Sequence, residues 1–290
     1  MDPSDSDARC SALMNLHKAE RGFVMPNAWD AGSAILLASE GFSAIGTTSA
    51  GIAFSLGKPD YNVSDARMAV TRAQMLDAVR RIVAAVPIPV NADLESGYGD
   101  TPEQVADTVR LAIAAGASGC NIEDTDSATG GLFDEASAVA RIAAARAAIE
   151  ASGRRFVLTA RTDAFQLNPD DAMRIAIRRG NLFLEAGAHC VFTPGVTDVA
   201  RARTLVREIA GPINLVVGLN EAAANAFDLI DAGVKRVSVG GSIARAVLGF
   251  VRRSARELRE HGTVGYAGQQ IAQSELNDLF VRAGQQGFGR

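Results

Sequence analysis

Short apolar runs that end in polar residues recur along the chain and set its period. They are FVMPNAW from Phe23, AIGTTSAG from Ala44, PVNADLE from Pro89, GCNIED from Gly119, FVLTARTD from Phe156, CVFTPG from Cys190, INLVVG from Ile213 and RVSVGG from Arg236. Their length and β-branched content read as buried strands. The intervening Ala-, Arg- and Leu-rich stretches, such as TPEQVADTVRLAIAAG and DEASAVARIAAARAAIEASG, carry the spacing of helices. The pattern is therefore strand then helix, eight times over. Before the second, fourth, sixth and eighth strands a helix closes on glycine, at Gly41, Gly116, Gly187 and Gly233, where a left-handed residue turns the chain back.

Alternating strands and helices demand a parallel sheet. Eight such units in a chain of 290 residues suit a closed (β/α)8 barrel, the TIM barrel, better than an open sheet. No G-x-G-x-x-G follows the first strand, which argues against a dinucleotide-binding open sheet. The expected division is a frayed polar tail over residues 1–12, a barrel over 13–261 and a C-terminal helical extension over 262–290. Two helices are expected beyond the eighth strand, SIARAVLGFVRRSARELREHG and AGQQIAQSELNDLFVRAG. The second could pack on its own barrel or on a neighbouring subunit.

Composition narrows the function by exclusion. A formal net charge of −4 gives no basic footprint for nucleic acid. No apolar run has the roughly 18 residues a membrane helix needs, and the first dozen residues lack the pattern of a secretory signal. A cytoplasmic protein is expected. The three cysteines, Cys10, Cys120 and Cys190, show no C-x-x-C pairing, and Cys120 and Cys190 begin strands, where core packing is the expected role.

In such a barrel, chemistry gathers at the C-terminal ends of the strands. Those ends offer Trp29 and Asp30; Thr47, Thr48 and Ser49; Asn91, Asp93 and Glu95; Glu123 and Asp124; Arg161 and Asp163; Thr193; and Ser238 with Gly240 and Gly241. His17, His189 and His261 end no strand, so an imidazole base or a histidine-held transition metal is not expected. Lys235 precedes the eighth strand and belongs at the wrong end of the barrel for a Schiff base. Carboxylates without histidine or thiol suit a hard cation, Mg2+ being the simplest, which would polarise the oxygens of a 2-oxo acid and stabilise an enolate. Several acids also have a structural reading. Asp30 stands where a helix cap is wanted, Asp124 and Asp163 could be supporting or capping acids, and Tyr98 reads as a packing residue.

The segments NAWDAGSA, SLGKPD, NADLESGYG, NIED and ARTDA occur in that order at these strand ends. Together they resemble the isocitrate lyase and phosphoenolpyruvate mutase superfamily, from about Asn15 to His261. The resemblance implies a (β/α)8 barrel, a homo-oligomer (a dimer or, as is usual there, a homotetramer) with helices exchanged between subunits, and a magnesium-bound enolpyruvyl or 2-oxo carboxylate. By position it makes Asp93 and Glu123 metal-site carboxylates and Arg161 the partner of substrate and developing enolate. Thr48, Ser49 and Ala50 would hold the substrate carboxylate, and Asp60 would lie near the reacting centre.

The chain also departs from that family. With Asp-Ala-Asp as the usual third-strand motif, Asn91 reads as a lost anionic ligand. The loop TDSATGGLFD lacks the Lys-[Lys/Arg]-Cys-Gly of isocitrate and methylisocitrate lyases, while Gly130 and Gly131 leave it able to move. Pro194 and Val216 stand where those lyases carry an acid and an asparagine, so the substrate is expected to differ at its end remote from the metal. The implied function is a magnesium-dependent lyase or decarboxylase acting on a small 2-oxo acid or related carboxylate. Alternatives are phosphorus-carbon chemistry of the phosphonopyruvate hydrolase or mutase type, for which the loop offers no lysine or arginine, and a non-catalytic binder of 2-oxo acids.

Overall fold

The computed structural model describes residues 3–60, 67–168, 170–220 and 225–287. The eight strands are β1 (Phe23–Met25 and, beyond Pro26, Asn27–Ala28), β2 (Ile45–Thr47), β3 (Val90–Asp93), β4 (Gly119–Glu123), β5 (Val157–Arg161), β6 (Cys190–Phe192), β7 (Ile213–Val216) and β8 (Arg236–Ser238). All pair in parallel with their neighbours. The first segment of β1 pairs with β8 and the second with β2, so Pro26, which has no N–H to donate, divides β1 and the barrel closes through it. This is the TIM barrel expected.

The helices are α1 (Pro3–Lys18), α2 (Ala31–Ser39), α3 (Ser49–Ser55), α4 (Arg72–Ala85), α5 (Pro102–Ala114), α6 (Glu135–Ala151), α7 (Ala164–Leu167), α8 (Ala172–Glu185), α9 (Val199–Glu208), α10 (Ala226–Asp231), α11 (Ser242–His261) and α12 (Gln273–Gly287). Their starts are written in sequence. Thr71 and Thr101 cap α4 and α5 in reciprocal boxes with Gln74 and Gln104, and Asp30 caps α2 through Ser33. The anticipated glycine stops are present: Gly41, Gly116, Gly187 and Gly233 all have φ between 85° and 102°.

Residues 3–12 correct the expectation of a frayed tail. They form the first turns of α1, with Cys10 and Leu13 fully buried. Leu13 packs with Met25, Ala44 and Val157 at the start of the strands, so α1 covers the N-terminal end of the barrel. At the other end of the chain α12 folds back on its own barrel, where Leu279 and Ala283 pack against the core shared by α2 and α4. Helix α11 leaves Val247, Leu248 and Val251 exposed. No helix among the described residues is long and apolar enough to cross a membrane.

Strand register decides what meets at the mouth. Asp93 stands beside Asn121, Glu123 beside Arg161, and Arg161 beside Phe192. Side chains alternate across a strand, so residues two apart share the interior face at different depths. Asp93, Glu123 and Arg161 end their strands at the mouth, and Asn91, Asn121 and Thr159 lie two residues deeper on the same strands, in the layer below.

Candidate active site

Arg161 is the best-anchored group at the mouth. Its Nη1 donates to Glu123 Oε1 at 2.6 Å, and its Nε donates to Asp163 Oδ1 at 2.9 Å. Both pairs are buried, with side-chain exposure of 9% for Arg161 against 1% and 3% for the acids. Charge-assisted bonds of this kind fix the plane of a guanidinium. Behind it, Asp163 accepts from Thr125 Oγ1 at 2.8 Å, and its N–H donates to Asp124. Asp124 in turn accepts from Arg179 on α8 at 3.0 Å. Asp124 and Asp163 are thus supporting acids, and Asp163 makes no side-chain cap to α7.

Asp93 is held from one side only. Ser49 donates both its N–H and its Oγ to Asp93 Oδ2, each at 3.0 Å, and Thr47 Oγ1 lies 2.8 Å from the Asp93 nitrogen. Asp93 Oδ1 is buried with no hydrogen-bond partner. Thr48 caps the short helix α3 through Gly51. Thr48, Ser49 and Ala50 all line the same cavity as Asp93 and Arg161, one of about 230 Å³. The Ser49 N–H expected to hold a substrate carboxylate is already engaged by Asp93.

Asp60 also lines this cavity, and it lines a second of about 800 Å³ that includes Glu95, Tyr98, Glu123, Thr125 and Phe133. Burial, with Asp93 and Glu95 nearby, pushes its carboxyl up to about 7. Burial raises Glu95 too, against the bond it accepts from Tyr98 at 2.6 Å. Burial holds Glu123 well above the ordinary carboxylate range despite Arg161. A cluster that resists ionising in this way is one a cation would relieve.

Asn91 requires a correction. It lies in the lower layer, 1% exposed, where its Nδ2 donates to Asn121 Oδ1 at 2.8 Å. It does not line the cavity that holds Asp93 and Arg161. The next acid-x-acid spacing is that of Asp93, the last residue of β3, and Glu95, in the loop beyond it. Glu95 stood among the strand-end acids but was given no role from sequence, and it lines the larger cavity with Asp60 and Glu123. Its backbone is strained: Glu95 and Tyr98 have φ of 51° and 54°, the only positive values among described non-glycine residues. Left-handed backbone at such residues marks a conformation imposed by its surroundings. Arg141 of α6 braces the same loop, donating to the carbonyls of Ser96, Gly99 and Asp100 while lying 4.2 Å over Phe133.

Arg236 was also missed. It is fully buried, and its Nη2 donates to Thr159 Oγ1 at 3.1 Å, with Asn121 Oδ1 and His17 Nε2 each 3.4 Å from the guanidinium. No carboxylate pairs with it among the described residues. Burial and this cation push His17 down to about 3. Strand alternation was the available signal, since Arg236 and Ser238 share the interior face. Lys235 sits at the opposite end of the barrel as expected, bonded to the carbonyls of Ala19 and Glu20. Cys120 and Cys190 are fully buried core residues, their thiols raised by burial.

The oxygen-only donor set and the orphaned Asp93 Oδ1 fit a hard divalent cation. Among the described residues no three acids converge at ligating distance. Magnesium does not require that, because it is commonly held by one or two carboxylates with water and substrate oxygens completing the shell.

A family model described as phosphoenolpyruvate phosphomutase matches residues 13–259. An uncharacterized protein of Mycobacterium tuberculosis is 35% identical over 262 residues, 90% of this chain and 91% of that one. The 2-methylisocitrate lyase of Escherichia coli is 34% identical over 193 residues, 63% of this chain and 61% of that one. Among solved structures, one from Burkholderia cenocepacia proposed to be a lyase or mutase superimposes with a TM-score of 0.89 at 40% identity, covering 96% and 97% of the two chains. Oxaloacetate acetylhydrolase in complex with its product oxalate gives 0.84 at 26% identity, covering 97% and 95%.

Proposed function

The chain belongs to the phosphoenolpyruvate phosphomutase family, within a superfamily of lyases and mutases that act on small carboxylates, and we propose that it is a magnesium-dependent lyase or decarboxylase of a 2-oxo acid or related carboxylate. The observation that carries this reading is the arrangement of Asp93, Glu95, Glu123 and Asp60 around Arg161. It joins an orphaned carboxylate oxygen, three acids displaced toward neutrality and a guanidinium fixed in plane.

In this reading Asp93 and Glu123 would hold the cation directly or through water, with Glu95 nearby adding negative charge. When bound, the ion supplies Lewis-acid polarisation of the substrate's 2-oxo and carboxylate oxygens. Arg161 faces the oxygen on which negative charge develops when the adjacent carbon-carbon bond breaks, and its two acid partners keep it from swinging away. Thr48, Ser49 and Ala50 bound the carboxylate end. Asp60, with a carboxyl near neutral pH, can hold or release a proton beside the reacting carbon. The Thr125–Asp126 and Gly131–Leu132 hairpin, with Gly130 in its turn, lines the larger cavity on this side and touches Asp163 through Thr125. Phosphoryl transfer has less support, since the hairpin residues carry no lysine or arginine to receive the group.

The test is an assay of oxaloacetate with and without Mg2+, following substrate loss together with carbon dioxide, oxalate and acetate. Magnesium-dependent cleavage supports the reading. Turnover of phosphonopyruvate in place of oxaloacetate contradicts it, as does tight binding of both without turnover.

A further inference from the structure

Among the described residues lining the smaller cavity the cations are Arg161 and Arg236, and they are held differently. Arg161 is engaged by Glu123 and Asp163, whereas no carboxylate among the described residues bonds Arg236. Arg236 is 0% exposed, and its guanidinium reaches the layer of Asn121 and Thr159 beneath the mouth. Its Nη2 donates to Thr159 Oγ1 at 3.1 Å and lies 3.4 Å from Asn121 Oδ1. Its Nη1 lies 3.4 Å from His17 Nε2, and its Nε has no hydrogen-bond partner among the described residues. These neighbours are neutral, His17 included, since burial and Arg236 push that imidazole down to about 3. Asn214, the register partner of Arg236 on β7, is an amide as well, and its Oδ1 is also unpartnered. Amides thus stand at Asn121 and Asn214, from where an acid would neutralise the guanidinium.

A buried charge without an opposite charge is strongly unfavourable unless something nearby offsets it. Burial draws Arg236 below the ordinary arginine value, and Asp93, which lines the same cavity and stands beside Asn121 in register, opposes that shift. Once Asp93 is committed to a divalent cation, the negative charge that offsets Arg236 has to come from the ligand. We infer that Arg236 is a fixed counter-charge beneath the site that selects doubly charged carboxylates over singly charged ones. Being fully buried, it acts through space and not by contact, and the interaction scales with the charge of the ligand. This rests on the function proposed above and adds to it a residue and a charge state.

The inference fixes two signs that a structural role would not. Removing the positive charge should weaken anions, the dianion most, and should strengthen the divalent cation, which Arg236 repels. A residue that merely held the barrel interior together would weaken both when replaced.

The test is calorimetry on the full chain carrying Arg236→Gln or Arg236→Met, with folding checked by circular dichroism; apolar replacement of a buried ion is commonly tolerated. Mg2+ is titrated alone, then oxalate or oxamate into the magnesium-saturated protein. These two ligands have nearly the same shape and differ by one charge. Mg2+ should bind about tenfold more tightly, oxamate about tenfold more weakly and oxalate about a hundredfold more weakly than to the unaltered protein. Arg236→Lys, which keeps the charge, should recover most of the preference for oxalate. Weaker Mg2+ binding by a folded neutral variant, or equal losses for oxalate and oxamate, overturns the inference while leaving the functional reading intact. If the unaltered protein binds neither Mg2+ nor oxalate, the functional reading falls and the inference falls with it.

Discussion

The two halves of the barrel mouth are built on opposite principles. Across β3 to β5 the strand ends carry Asp93, Glu123 and Arg161, with Glu95 in a left-handed turn and three carboxyls raised toward neutrality. Across β6 and β7 the equivalent positions are Phe192, Pro194 and Val216, buried and apolar. Identical strand geometry supports both. The acidic half concentrates like charge and desolvated polar atoms, which weakens a fold in the absence of a ligand, while the apolar half contributes ordinary packing. Substitutions in the first half should therefore cost activity or cation affinity beyond any effect on stability, whereas those in the second should cost stability alone.

The largest effect is expected at the boundary of the halves. Arg161→Met removes the fixed guanidinium, and turnover should fall by about 10³-fold. It also leaves Glu123 and Asp163 without their cation, so unfolding in urea should show a loss of ~3–5 kcal/mol. Retained turnover would mean that Arg161 is merely structural. Phe192→Ala empties the apolar side and should lower stability by ~3–5 kcal/mol in the same experiment, with cation affinity unchanged. A change in cation affinity there would erase the distinction between the halves.

A smaller effect comes from pH. The Asp60 carboxyl is raised to about 7, so the folded state favours its neutral form. Its contribution is full below the ordinary carboxylate value and is lost as pH rises through about 7, where ionisation is forced beside Asp93 and Glu95. Metal-free protein should thus lose melting temperature from pH 5 to 8, the stabilisation by added Mg2+ should grow over the same range, and Asp60→Asn should abolish much of both trends. The smallest effect is at Glu95. Glu95→Gly relieves a φ of 51° and one crowded charge, so stability should stay within ~1 kcal/mol of the original while cation affinity drops.

Most of the fold was legible because the strand and helix periods, and the glycine stops at Gly41, Gly116, Gly187 and Gly233, are local signals. The start of α1 was not read. Its first residues are polar, and its buried positions, Cys10, Leu13 and His17, follow a helical spacing diluted by acids. Within the site, the residue types at the strand ends were readable, but depth along the strand was not. Asn91 and Asp93 share a face, yet only the structure separates the lower layer from the mouth and moves the acid pair to Asp93 and Glu95. The buried roles of Arg236, Arg141 and Arg179 depend on partners 41 to 219 residues away in sequence, which no local pattern conveys.

In the proposed function the acids of the β3 to β5 half hold a divalent cation. Titrating Mg2+ into metal-stripped protein, and into the Asp93→Asn, Glu123→Gln double variant with its fold verified by circular dichroism, tests it directly. Saturable uptake of one ion by the former and none by the latter is expected. Equal uptake by both, or by neither, would contradict it.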